Sequence, residues 1–295
     1  MNSTHCRLPS RNRLIALALF FLFPGWVSAA ELHVPAIVEA GQTFFISLVG
    51  SGQATLYLVG PDHVLKRSVT LGGNLQIQSS DVRAAGLYRV ILCDSSSCTS
   101  ATFAVKAAQP AHLEFFLNPS RVPVSSPDSI NATAFVFDRN FNLVLIPAAV
   151  NFRITPASGT GFSRQISTRH GVAWMQMGST PHEGPVQVTA VLRNVEEVRV
   201  IQQVAAEACG LRMKAVASGN TVTLETDPVR DCSGNALPDG TVVSFTKIDK
   251  AGKSTVDTPI KKDVARTQFS LHGPAQITVA CGVVSGNEVA LNGRL

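Results

Sequence analysis

The chain states one pattern twice. "DRNFNLVLIPAAVNF" runs from Asp138 to Phe152, and 93 positions later "DCSGNALPDGTVVSF" runs from Asp231 to Phe245. In each copy an Asp leads and an Asn follows four positions on, Asn142 or Asn235. A strand-like run then places Val150 and Phe152, or Val243 and Phe245, on one face. Asp and Asn side chains hydrogen-bond nearby backbone and tolerate positive φ, so the opening of each copy reads as a tight turn. Later, "GVAW" (Gly171 to Trp174) answers to "DVAR" (Asp263 to Arg266), and "GPVQVTA" (Gly184 to Ala190) to "GPAQITV" (Gly273 to Val279). Two versions of one folding unit therefore follow each other, at a period close to the roughly 100 residues of an immunoglobulin-like domain.

Alternation of apolar and polar residues says what the unit is made of. Ile130, Ala132, Ala134 and Val136 share a face, as do Val222 with Leu224, and Val186 with Val188 and Ala190. Runs of this kind recur about every ten residues between turn signals such as Gly72-Gly73-Asn74, as in a sandwich or barrel. No window carries a sustained helical period. The small-residue stretches "KAAQPA" and "VAAEACG" interrupt the alternation. They divide the chain into residues 31–107, 108–206 and 207–295, three β-sandwiches with separate cores. The prolines of "NPSRVPVSSPDS" (Asn118 to Ser129) mark an extended crossing in the middle segment. In the first segment "DVRAAGLYRV" has the form of a tyrosine corner, with Tyr88 two residues before the core position Val90.

Residues 1–30 read as a signal peptide: Arg7, Arg11 and Arg13, the apolar run "LIALALFFLF", then "VSAA" before a cut after Ala30. The expectation is an exported protein, periplasmic or extracellular. With those arginines gone the formal charge falls from +5 to +2, which argues against nucleic acid as a partner. The end "GNEVALNGRL" has no apolar tail, so no membrane anchor is expected after cleavage.

In an oxidising compartment the cysteines should pair. Cys93 and Cys98 can close a hairpin loop, a constraint worth about 2 kcal/mol. Cys209 and Cys232 flank a hairpin turning at Ser218-Gly219-Asn220 and are the preferred second pair; Cys209 with Cys281 is the alternative.

The turn, the V-x-F strand, then G-x-A and G-x-x-x-V-T-A over residues 138–190, and more loosely 231–279, resemble the bacterial immunoglobulin-like domains of the invasin and intimin group. The resemblance covers about residues 111–295, the first segment being only generally immunoglobulin-like. The middle copy departs from it at Phe141, where a turn glycine is expected, and the third at Asp263, opposite Gly171. The resemblance implies an extracytoplasmic sandwich, often one segment of a stalk or surface array, and implies no catalytic residues.

Motifs for chemistry are incomplete. "AGKST" lacks the first glycine of a phosphate loop, since Lys247 stands there. "DRNFN" opens like a calcium loop but continues with Leu143 and Ala149 where Gly and an acid belong. The histidines stand singly, and a hydrolase would require His170 or His182 beside a serine and an acid. No metal, cofactor or catalytic group is expected. Trp174, Met175 and Met177 fall on one strand; core packing is the expectation, with an exposed binding strip as the alternative.

The reading that follows is a non-enzymatic structural or protein-binding protein, acting on an unknown protein or surface ligand, as an adhesion or stalk module. The alternative is an accessory carbohydrate-binding or chaperone-like module of an envelope complex. An exposed row of aromatics would favour sugar stacking, and a bare apolar edge strand would favour chaperoning.

Overall fold

The computed structural model describes residues 30–292. The expected signal peptide lies outside the described residues, apart from Ala30. The fold is all-β: three successive immunoglobulin-like sandwiches, with one short 3-10 turn at Ser79–Asp81 among the described residues.

The first unit comprises β1 (Glu31–His33), β2 (Ile37–Glu39), β3 (Phe44–Val49), β4 (Gln53–Val59), β5 (Val64–Thr70), β6 (Gly73–Ile77), β7 (Gly86–Cys93) and β8 (Cys98–Lys106). Its sheets are β1-β3-β6 and β2-β8-β7-β4-β5, antiparallel except where β2 runs parallel to β8. The second unit comprises β9 (Pro110–Asn118), β10 (Arg121–Pro123), β11 (Ile130–Asp138), β12 (Ala149–Pro156), β13 (Phe162–Ser167), β14 (Val172–Met177), β15 (Gly184–Leu192) and β16 (Val195–Val204). Here β14-β11-β9 faces β10-β16-β15-β12-β13, again with one parallel pair, β10 with β16. The proline-rich crossing supplies β10, which carries the chain from one sheet to the other. The third unit comprises β17 (Ala208–Gly210), β18 (Met213–Ser218), β19 (Thr221–Thr226), β20 (Arg230–Asp231), β21 (Val242–Asp249), β22 (Gly252–Pro259), β23 (Arg266–Ser270), β24 (Ala275–Cys281) and β25 (Val284–Leu291). It sets β18-β19-β23 against β22-β21-β24-β25, with β17 and β20 paired at one end.

Each sandwich closes over its own core because strand alternation sends every second side chain inward. The first core gathers Phe44, Leu56, Leu58, Tyr88, Val90 and Phe103, with Phe103 stacked on Tyr88 at 5.4 Å. The second gathers Phe115, Val150, Phe152, Val186 and Val188, and the third Val222, Leu224, Val243, Phe245 and Ile277. Val150, Phe152, Val243 and Phe245 are fully buried, and each such side chain contributes about 1.5–3 kcal/mol through burial. Tyr88 is buried, and its hydroxyl donates to the Ala84 carbonyl at 3.1 Å. Burial, helped by the negative charge of Asp62, pushes the phenol's pKa up to about 12.

Disulfides join Cys93 to Cys98 across the β7–β8 turn and Cys209 to Cys232 beside the β17–β20 pair. Cys281 is buried and unpaired among the described residues, and burial raises its thiol pKa.

One expectation fails. Trp174 is not in the core: it is 54% exposed, while its neighbours Ala173 and Met175 point inward.

Candidate functional site

Asp138 ends β11 on the inward row, after Ile130, Ala132, Ala134 and Val136, and is fully buried. A carboxylate there is tolerated only when its lone pairs are occupied. Its oxygens accept from the backbone N–H of Asn140 (2.8 Å) and Asn142 (2.9 Å), and from Asn142 Nδ2 (3.0 and 3.2 Å). A further bond comes from Ala108 N in the connection out of the first unit, at 2.8 Å. Asp231 repeats the set: Ser233 N and Asn235 N at 2.9 Å, Asn235 Nδ2 at 3.0 and 3.2 Å, and Ala206 N of the next connection at 3.0 Å. Burial pushes both carboxyls up. The Asn amide and the backbone N–H groups outweigh it, and both settle below the usual carboxylate value.

The Asn of each motif has a second task. Asn142 Nδ2 donates to Arg83 O and its Oδ1 accepts from Ala85 N, both at 2.7 Å, in the loop that leads into β7. Asn235 Nδ2 donates to Pro181 O at 2.9 Å and its Oδ1 accepts from Glu183 N at 3.4 Å, in the loop that leads into β15. In both loops the partners lie three and one positions before a glycine at positive φ, Gly86 or Gly184. The third contact also recurs. An ideal Cβ on Gly41 of the first unit would come within 2.9 Å of Asn140, and Ser125 Oγ of the second lies 2.7 Å from Ser233 Oγ. Asp clamps the connection, Asn clamps the preceding unit, and the residue between them touches its turn. Apolar side chains flank both joints: Ile37 and Val105 with Leu143 and Ile146 at the first, Pro123 and Ala208 with Leu237 and Pro238 at the second.

The third unit has the same socket, one and three positions before Gly273, and fills it from within. Asp249 Oδ2 accepts from His272 N at 3.2 Å and Lys247 Nζ donates to Ser270 O at 2.8 Å. Lys247 and Asp249 are 2.6 Å apart, and their side chains are almost wholly covered. The ammonium beside it holds the Asp249 carboxyl down to about 2.

The two departures from the repeat sit at positions of equal backbone. Phe141 has φ +61 where Gly234 has +87, and Asp263 has φ +70 where Gly171 has +83. A Cβ on Gly171 would collide with Leu143 at 2.5 Å, whereas the third unit, with Asp263 in place of Gly171, has the smaller Ala236 at the repeat position of Leu143.

The residues of the repeat were visible in the sequence as turn and core. Their contacts with the preceding unit were not, although "AAG", "HEG" and "LHG" before each positive-φ glycine were a signal for the socket. Among the described residues, no three His, Cys, Asp or Glu side chains gather as a metal site.

The architecture can be compared with solved structures. The adhesin FdeC of Escherichia coli superposes with a TM-score of 0.57 at 14% identity, over 88% of this chain and 95% of that one. The shared fold is a tandem of immunoglobulin-like β-sandwiches. Invasin, a bacterial integrin-binding protein, matches at 11% identity with a TM-score of 0.49, over 89% of this chain and 59% of that one. No protein-family model matches the sequence, and no curated protein is similar to it.

Proposed function

We propose that the protein is an exported, non-enzymatic spacer and binding module, three sandwiches held end to end in the manner of an adhesin stalk. The observation that carries this reading is the joint. A buried Asp and its Asn partner are spent twice, in the same geometry, on fixing one unit against the next. A chain whose units only needed to fold would not require Asn142 to reach residues 83 and 85, or Asn235 to reach 181 and 183. The fold it shares with FdeC, described as an adhesin, supports the same role.

The test is protease shaving of intact cells, with the chain detected before and after osmotic shock. Loss without shock is the expected result for a surface or released protein. Protection until the outer compartment is opened would sink the adhesion role and leave a structural role inside the envelope.

A further inference from the structure

The outer face of the β14-β11-β9 sheet is aromatic. Strand register places Trp174, Thr133 and Phe116 in one row across the three strands, with Val172, Phe135 and Glu114 in the next. Trp174 and Phe116 are 54% and 58% exposed, and Phe116 meets Phe135 edge to face at 5.8 Å. At one end of the face Phe141 lies flat on His112, ring centroids 4.6 Å apart. At the other end stand the amides Asn118, Asn131 and Gln176. The single formal charge on this face of the three strands is Glu114.

The third unit shows that the fold does not ask for any of this. Its equivalent row, read through the same register, is Arg266, Glu225 and Lys214, an ion-paired and solvated surface. Where its turn uses Gly234, the second unit holds Phe141 at φ +61, a conformation that bulky residues avoid. Backbone strain retained against an available glycine points to a function for the side chain it places.

We propose that this face binds a neutral, flat polysaccharide ribbon of β-1,4-linked hexose or N-acetylhexosamine units. The C–H faces of such sugars are apolar and stack on aromatic rings, while their hydroxyls match side-chain amides, which both donate and accept. Strands lie about 4.8 Å apart, so Phe116 and Trp174, two strands from each other, stand about 10 Å apart. That separation suits every second sugar of an extended β-1,4-linked chain, since alternate rings present the same face. The rings of Trp174 and Phe116 stand exposed on the outer side of the sheet, which fits a ribbon laid across the strands. The absence of Lys and Arg from this face disfavours nucleic acid, anionic glycans and acidic lipid surfaces as occupants.

The inference adds a ligand class to the binding role proposed above, but it is tested separately from the joints and from location. Trp26 and Trp174 are the two tryptophans of the chain, so the full chain carrying Trp26→Phe reports through Trp174 alone. It is titrated with cellohexaose and with chitohexaose. The expected result is a saturable change in Trp174 emission with at least one of them. Phe116→Ala should weaken it about tenfold, the effect of losing one aromatic anchor. Phe141→Gly should weaken binding and yet raise the melting temperature, an opposition that a purely structural role cannot produce. Lys214→Ala with Arg266→Ala, on the matching face of the third unit, should change nothing. No response to either oligosaccharide overturns the proposal, as does a response that survives Phe116→Ala. Phe116-dependent dimerisation in sedimentation, without sugar binding, would overturn it in favour of contact between copies.

Discussion

At the scale of single residues, the molecule is most exposed to change at its two joint aspartates. Asp138→Ala orphans the N–H groups of Ala108, Asn140 and Asn142 at once, and should cost about 2–4 kcal/mol in urea unfolding of the second unit. The same carboxyls predict an acid response. Their folded pKa lies below the unfolded value, so the stability they lend is fully present above about pH 4 and is lost as pH falls through the folded value. Denaturant midpoints measured between pH 7 and 2 should therefore fall at the acid end, and the fall should flatten in a chain carrying Asp138→Asn and Asp231→Asn. Trp174 shows how much could be read beforehand. Gln176 shares its side of β14 while Ala173 and Met175 share the other, so the alternation already pointed Trp174 outward; its hydrophobicity suggested the opposite.

At the scale of elements, strands were legible because burial in a sandwich leaves a period of two in the sequence, as Ile130 to Val136 do in β11. Their partners across the joints were not, because Asn142 and Ala85 are 57 positions apart and nothing local records their meeting. The disulfides act at this scale too. Bridging 23 positions, Cys209–Cys232 should stabilise the third unit by about 3 kcal/mol, against about 2 kcal/mol for the five of Cys93–Cys98 in the first. Calorimetry of the reduced protein should show the larger loss in the transition of the third unit. Cys281 should stay unmodified by thiol reagents until that unit unfolds, since its thiol is covered and its pKa raised.

At the scale of the whole molecule, the joints decide how the three sandwiches move together. Asn142→Ala should broaden the distances measured between spin labels on the first and second units and leave those between the second and third narrow. Asn235→Ala should do the reverse. Broadening at both joints from either change would mean that the clamps are not independent. The Lys247–Asp249 pair closes the last socket, and the first unit carries no Asp-Asn turn of its own to offer to a neighbour. A head-to-tail contact that did not close on itself would propagate into a filament. With the acceptor of the third unit filled from within and no Asp-Asn donor in the first, the joint that links these units cannot itself join one copy of them to the next, and raising the concentration gives it nothing to polymerise.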